Sequence, residues 1–356
     1  MTDTVLLTGA TGFLGMEVLA RLLERDDVEV LALVRGGHER LDGVLRTLYD
    51  TPPPDAADRV RALSGDVTAA GLGLSDADRR EALRRTTAVL HCAASISFTL
   101  PLAEAREINT RGTLRVLELA KEVESLRRIV HVSTAYVAGR HAGRFREGDL
   151  DVDQSFRNSY ERSKYEAELA LCAAGGDLPL AVARPSIVVG ERDSGWTPAF
   201  NVIYWPLQAF ARGLLDRVPA TPGGRVDIVP VDHVADGLVG LLDRPDVRGT
   251  VHLVAGERAV TNDQLIDLAC RHLSRPRPQI VDPREAPELE HVETYLPYFD
   301  VRTTFDDRRA RDALGIRAPA LATYFPALLD YARATRWGKR PMTREAAASA
   351  LHSHAA

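Results

Sequence analysis

Tyr160 and Lys164 stand four residues apart in Tyr160-Glu161-Arg162-Ser163-Lys164. On a helix this spacing puts a phenol and an ammonium on one face, where both can meet one site. A free tyrosine ionises only near about pH 10 and exchanges protons poorly at neutrality. An adjacent ammonium favours the phenolate and brings it toward a range useful for general acid–base chemistry. Upstream, His131-Val132-Ser133-Thr134-Ala135-Tyr136 gathers three hydroxyls behind an apolar run. Thr134 is the expected donor to a substrate oxygen, with Ser133 its competitor and Tyr136 a packing residue. Asn109, opening a predicted helix in Ile108-Asn109-Thr110-Arg111-Gly112-Thr113, is either a helix cap or a buried amide positioning water near the lysine. Tyr160, Lys164, Thr134 and Asn109 make up the candidate catalytic set.

A second constellation lies at the N-terminus. Gly9-Ala10-Thr11-Gly12-Phe13-Leu14-Gly15 follows the apolar run Thr4–Thr8 and precedes an amphipathic stretch. Glycines between a strand and a helix allow a tight turn and close backbone approach to a pyrophosphate at a helix N-terminus. Gly9, Thr11, Gly12, Phe13, Leu14 and Gly15 are therefore expected to hold a dinucleotide. The next strand ends in Leu33-Val34-Arg35, where NAD binders usually carry a carboxylate for the ribose hydroxyls. A guanidinium there suits a 2′-phosphate, so NADP(H) is the expected cofactor, with Arg40 as possible help for Arg35. Asp66 and Val67, after a third apolar run, either touch the adenine edge or cap a turn.

These groups need a scaffold that brings them together. Short apolar runs at Thr4–Thr8, Val28–Val34, Val60–Ser64, Ala88–Cys92, Ile129–Ser133 and Leu180–Ala183 alternate with helical stretches near Leu14–Arg25, Ile108–Val123 and Tyr160–Ala173. That rhythm predicts an α/β fold, a doubly wound parallel sheet of Rossmann type with ligands at the carboxyl ends of the strands. After Pro185 the alternation breaks. Glu191–Pro198 reads as a loop, and Phe200–Leu215 as a helix kinked or restarted at Pro206. Asp227–Val231 and Thr250–Val254 read as strands flanking a helix at Val234–Leu242. Thr261–Leu273 reads as a helix capped by Thr261 or Asn262. Residues 1–188 and 226–260 are thus expected to form the NADP(H)-binding domain, and 189–225 and 261–338 a smaller, discontinuous, α-rich substrate lobe. Residues 339–356 form a tail, helical or disordered.

Composition narrows the classes. The 356 residues carry a net charge of -5, which leaves no basic footprint for nucleic acid. The apolar runs are strand-length, so no membrane span is expected. The N-terminal residues show no charged leader with an apolar region, and a cytoplasmic location is expected. Three scattered cysteines suggest neither a disulfide framework nor a zinc site, and no metal is expected. His91 and His131 read as core imidazoles, His233 as a structural cap, and Cys92 as lacking any nucleophile motif. Trp196, Tyr204, Trp205 and Phe210 either line a substrate pocket or pack.

The motifs Thr8-Gly9-Ala10-Thr11-Gly12-Phe13-Leu14-Gly15, His91-Cys92-Ala93-Ala94-Ser95-Ile96-Ser97-Phe98, Asn158-Ser159-Tyr160-Glu161-Arg162-Ser163-Lys164 and Ala183-Arg184-Pro185-Ser186-Ile187-Val188-Val189-Gly190 together resemble those of extended short-chain dehydrogenase/reductases. Within that group the chain most resembles the fatty acyl-CoA reductase and thioester reductase branch, which includes the male-sterility-type reductases. The segment Asp227-Ile228-Val229-Pro230-Val231-Asp232-His233 and the Ser194-Gly195-Trp196 loop favour this branch over sugar epimerases. The resemblance implies Thr134, Tyr160 and Lys164 as a catalytic triad with Asn109 as fourth member. It also implies that Pro185 and Ser186 line the nicotinamide pocket and that Ala93 and Ala94 border the cofactor. The implied reaction is NADPH-dependent reduction of an acyl thioester, on coenzyme A or an acyl-carrier protein, to aldehyde or alcohol. The alternatives are a carbonyl or alcohol oxidoreductase on a small natural product and, further off, a sugar-nucleotide epimerase or dehydratase.

Overall fold

Strands rich in Val, Leu and Ala, apolar on both faces, are stable only when both faces are covered. The computed structural model, which describes residues 3–221, 223–282 and 296–352, shows that arrangement. Seven strands form one parallel sheet: β1 (Asp3–Thr8), β2 (Val28–Val34), β3 (Val60–Ser64), β4 (Ala88–His91), β5 (Arg128–Val132), β6 (Leu180–Pro185) and β7 (Gly249–Leu253). Their order across the sheet is β7-β6-β5-β4-β1-β2-β3. The chain therefore reverses direction at β1 and β4, and the crevice above that switch is where such sheets bind ligands.

Alternate residues of each strand enter different cores. Leu7, Val30, Ala32 and Val130 pack under the helices Phe13–Leu23 and Val231–Asp243, while Leu6, Leu31, Leu63 and Val89 pack against Gly112–Lys121 on the other side. Each such side chain contributes about 1.5–3 kcal/mol by leaving water. A third cluster, containing Tyr204, Leu207, Leu265, Tyr324 and Leu328, builds the region beyond the strand ends.

Three elements differ from the sequence expectation. The helix expected at Phe200–Leu215 is only Tyr204–Ala211; Val202 is left-handed at φ 49 and so blocks an earlier start. Pro206 neither kinks nor restarts it, because it lies in the first turn, where a missing N–H costs nothing. The predicted strand Asp227–Val231 is Ile228–Pro230 and does not join the main sheet. It pairs with Ile187–Val189 in a separate two-stranded ladder. The helix expected to open at Ile108 begins at Leu102 and passes through a π turn, Glu107–Arg111, before continuing as Gly112–Lys121.

Thr261 caps the helix Asn262–Leu273 through a reciprocal capping box with Gln264. In the tail, Arg344–His352 is helical, and residues 353–356 lie outside the described residues, as do 283–295 of the expected lobe. Arg344 anchors that helix. Its guanidinium reaches both oxygens of the buried Glu17 carboxylate, at 2.9 and 3.1 Å, and Glu191 at 3.0 Å. The Trp196 indole N–H donates to the Met342 carbonyl at 3.3 Å, and the Trp196 ring meets Phe13 of the glycine loop at 6.1 Å. Among the described residues no helix is long and apolar enough to cross a membrane.

Candidate active site

The glycine loop closes the gap between β1 and the helix Phe13–Leu23. Gly9 has φ +78, and a Cβ there would lie 2.6 Å from the Ala93 amide nitrogen. A Cβ on Gly15 would collide with the Gly9 carbonyl. Protein packing thus demands both glycines. Gly12 is different: it is exposed, and a Cβ there would find room, with the Gly9 oxygen at 3.4 Å. Gly12 also caps the helix, and no side chain satisfies the first-turn amides. A bare, uncapped helix start beside an open position fits a pyrophosphate, which needs N–H donors and close approach. Thr11, Phe13 and Leu14 are partly exposed on the same turn, the Ala93 backbone lies against Gly9 just past β4, and Ala94 beside it is partly exposed.

At the end of β2 the Arg35 side chain is 68% exposed, with its guanidinium 3.9 Å from an oxygen of Asp66. The other Asp66 oxygen accepts from the amide and the hydroxyl of Thr68, each at 2.8 Å. Asp66 therefore caps a turn and faces Arg35 at once. Val67 lies under Gly112, and its carbonyl accepts from Arg115 at 3.1 Å. Arg40 is exposed nearby.

The helix Ser159–Ala174 starts at Asn158, whose side-chain oxygen caps the Glu161 amide at 3.0 Å. This fixes Tyr160 in the first turn and Lys164 one turn deeper. The Tyr160 phenol and the Thr134 hydroxyl just past β5 lie close enough for Thr134 to act on the phenol's ionisation. Burial pushes the phenol's pKa up to about 12, Thr134 holds it back, and Glu161 raises it. Lys164 did not produce the lowering that the sequence suggested. Its ammonium donates instead to the Val132 carbonyl at 2.8 Å and sits 3.3 Å from His131 Nε2. Burial lowers the lysine's own pKa to about 8, against the raising influence of Glu168 and Cys92.

Of the competing hydroxyls, Thr134 faces the phenol. Its oxygen also accepts from the Tyr136 amide at 3.2 Å and lies 3.4 Å from the Pro185 carbonyl. Ser133 points to the opposite side, where its hydroxyl donates to the buried Glu168 carboxylate. Tyr136 packs edge-on against Tyr298 at 4.9 Å. Ser186 is buried at the end of β6, its amide 3.4 Å from the Leu253 carbonyl.

Asn109 corrects the first of the two readings offered for it. It does not cap a helix but is a buried amide inside the π turn. Its amide accepts from the Ser95 N–H at 2.8 Å and donates to the Ser95 carbonyl at 3.0 Å and to Ser163 Oγ at 2.9 Å. It therefore ties the Cys92–Phe98 loop to the catalytic helix. The extra residue of a π turn turns a side chain out of register, a device frequent at functional sites.

Sequence reasoning missed Phe98 as a site residue, and it missed Tyr298. The Phe98 ring lies 5.8 Å from Tyr160 and stacks on Tyr298 at 5.0 Å, while Asn158 donates to the Tyr298 hydroxyl at 3.0 Å. Only Phe98 had a signal available, its place at the end of the His91–Phe98 motif. Trp196 and Tyr204 are buried packing residues, Tyr204 accepting from the Gly190 amide at 2.9 Å, whereas Phe210 lines a cavity. His233 is buried at the start of the helix Val231–Asp243, and burial lowers its pKa to about 4. The Cys92 thiol is raised to about 12 by burial, which suits no nucleophile. Among the described residues no group of His, Cys, Asp and Glu is placed to hold a metal.

Residues 7–238 match the family model described as male sterility protein. The chain is 30% identical over 271 residues to fatty acyl-CoA reductase 1 of Homo sapiens, covering 65% of this chain and 53% of that protein. It is 28% identical over 276 residues to the fatty acyl-CoA reductase wat of Drosophila melanogaster, covering 66% and 53%. The chain thus spans about half the length of these curated relatives. The terminal R domain from the myxalamid PKS-NRPS biosynthetic pathway superposes with a TM-score of 0.81 at 26% identity, covering 96% of this chain and 93% of that one. The UDP-glucuronic acid 4-epimerase from Bacillus cereus, in complex with NAD, shares the fold at a TM-score of 0.69 and 17% identity, covering 93% and 99%. The chain belongs to the male sterility protein family, within the extended short-chain dehydrogenase/reductases.

Proposed function

We propose that this chain is an NADPH-dependent oxidoreductase that reduces an acyl thioester, carried by coenzyme A or an acyl-carrier protein, to the aldehyde and onward to the alcohol. The observation that carries the reading is the Thr134–Tyr160 hydroxyl pair at the end of β5, beside the switch-point cradle. Relatives named as fatty acyl-CoA reductases and a neighbour from a thiotemplate pathway point to the thioester.

NADPH, when bound, supplies a hydride to the thioester carbonyl. The chain's residues do the rest. Thr134 and Tyr160 donate hydrogen bonds to the oxygen as it becomes an oxyanion, worth about 10²–10³ in rate per donor in comparable sites. A phenol held near pKa 12 is fully protonated at neutrality, so Tyr160 acts as donor and gives its proton to that oxygen. Collapse of this hemithioacetal returns the hydroxyl proton to the Tyr160 phenolate and expels the thiolate, which takes up a proton from solvent, leaving the aldehyde. Lys164, one turn along the same helix, would hold the ribose of the bound cofactor. Phe98 packs against Tyr160 and is backed by Tyr298, an apolar wall on one side of the phenol.

Arg35 turns from Asp66 to the 2′-phosphate, which sets the preference for NADPH. Residues 1–188 and 226–260 hold the cofactor, and 189–225 with 261–338 shape the substrate side. There Ile203, Leu207, Phe210, Leu215, Leu265 and Phe299 line a small apolar cavity of about 50 Å³.

The test is an assay of acyl-CoA and acyl-carrier substrates with NADPH, following cofactor oxidation, free thiol and products by mass spectrometry. Thiol release matched to the first equivalent of NADPH supports the proposal. NADPH oxidation with aldehydes or ketones alone, without thiol release, excludes it in favour of a carbonyl reductase.

A further inference from the structure

Beneath the catalytic lysine the sheet carries polar residues where its neighbours carry Leu and Val. Thr8, His91 and His131 are register partners on β1, β4 and β5, forming one row across the three central strands. All three are buried. Polar groups placed there cost stability unless each bond is made.

The hydrogen bonds assign the protons. Thr113 donates its hydroxyl proton to the Asn109 carbonyl at 2.6 Å, so its oxygen must accept from His91 Nε2 at 3.1 Å. His91 is then the neutral Nε2–H form, and its Nδ1 accepts from Thr8 Oγ1 at 2.7 Å. The Thr8 oxygen in turn accepts from the Ala93 amide at 3.2 Å. His131 lies against His91, ring centroids 5.2 Å apart, and its Nε2 is 3.3 Å from the Lys164 ammonium. An ammonium has only donors, so Nε2 is the bare nitrogen and the proton sits on Nδ1. His131 Nδ1 is buried without a hydrogen-bond partner.

We infer that His131 is a positioning residue for Lys164: a neutral acceptor that fixes the ammonium and, closed behind its Nδ1, offers no path for that proton into the core. With the Val132 carbonyl it engages two of the three ammonium protons and leaves one for the site. The titratable groups facing the lysine are Cys92 and His91 from the end of β4, His131 from β5, and Glu168 from its own helix, with Arg184 of β6 behind Glu168. Both imidazoles are held neutral by burial first and by the lysine charge second. The same row ties Ala93 and the start of the glycine loop to the lysine's support. The inference rests on the reading that Lys164 serves the proposed reaction.

The decisive pair of variants is His131→Leu, which removes the acceptor, and His131→Gln, whose amide oxygen replaces Nε2. The Leu variant is expected to lose roughly 10- to 100-fold in kcat with KM changed by less than about threefold. Without the acceptor the charged lysine is less favoured, so the alkaline limb of its kcat profile moves down by about one pH unit. The Gln variant regains both. An unmoved alkaline limb in the Leu variant, or a Gln variant as impaired as Leu, overturns the assignment. A folding-independent arm is imidazole ¹⁵N NMR of the wild-type protein, which is expected to show His131 protonated on Nδ1 and bare on Nε2 from about pH 6 to 7, where Lys164 is charged. A proton on Nε2, or titration in that range, sinks it. Failure of the wild type to reduce thioesters would remove the proposed reaction, and the NMR arm would still decide this inference.

Discussion

Lys164 and Glu168 are one turn apart on the same helix and both buried, yet their surroundings are opposite in kind. Glu168 is met by a full countercharge. Arg184 donates to it at 2.7, 3.0 and 3.1 Å, and Ser133 adds its hydroxyl. Arg184 is itself held by the Asp149 carbonyl at 2.9 Å and by His252 at 3.2 Å. Lys164 has only neutral partners, a carbonyl and an imidazole. A charge whose task is structural is neutralised on the spot, because an unpaired buried ion costs several kcal/mol. A charge that must act on an incoming group is left uncompensated, and the fold carries that cost at the site.

The strongest way to break this contrast is on the structural side. Arg184→Leu strands the Glu168 carboxylate and should cost about 3–5 kcal/mol in denaturant unfolding, whereas the double change Glu168→Leu with Arg184→Met should be close to neutral. Equal losses in both would mean that packing, not pairing, governs this cluster. Next comes the pair of adjacent hydroxyls. Thr134→Val should lower kcat by about 10²-fold, while Ser133→Ala leaves turnover within about threefold and shows its effect in thermal stability. The reverse pattern in single-turnover kinetics would exchange their roles.

Lys164→Met sharpens the other half. The lysine's pKa is lowered from its ordinary 10.5 to about 8, so the unfolded chain binds the extra proton between those values. Wild-type stability should therefore rise with pH from about 8 to 10.5, and below that window the buried ammonium is a net cost. The Met variant should lack that rise, unfold at higher temperature at neutral pH, and be inactive. A destabilised Met variant would show that the lysine is structural. The smallest effect belongs to the surface: Arg35→Ala should weaken NADPH binding about tenfold with NADH little changed. An unaltered ratio in titration calorimetry would place the 2′-phosphate elsewhere.

The parts legible in the sequence share one property. The glycine loop, the arginine closing β2 and the Tyr160–Lys164 pair are each set by residues within one turn or one strand end, where spacing alone dictates geometry. The strands were legible because burial on both faces demands continuous apolar runs, and Val28–Val34 and Val60–Ser64 appear as read. The helix around Asn109 was misread at its start, because the π turn gives no compositional sign. Ile228–Pro230 was recognisable as extended, but its partner Ile187–Val189 is some forty residues away, and no local pattern chooses between partners.

By itself, then, the sequence determined a doubly wound sheet, a glycine turn before the first helix and a phenol–amine pair on one helix face, because hydrophobic period and backbone stereochemistry act over a few residues. Tertiary structure alone decided which hydroxyl meets the phenol, that the lysine rests on His131, that Phe98 contacts both Tyr160 and Tyr298, and that Arg344 docks the tail on Glu17. These are contacts between side chains far apart along the chain. Their geometry depends on strand register and helix packing, which exist only once the whole core has assembled.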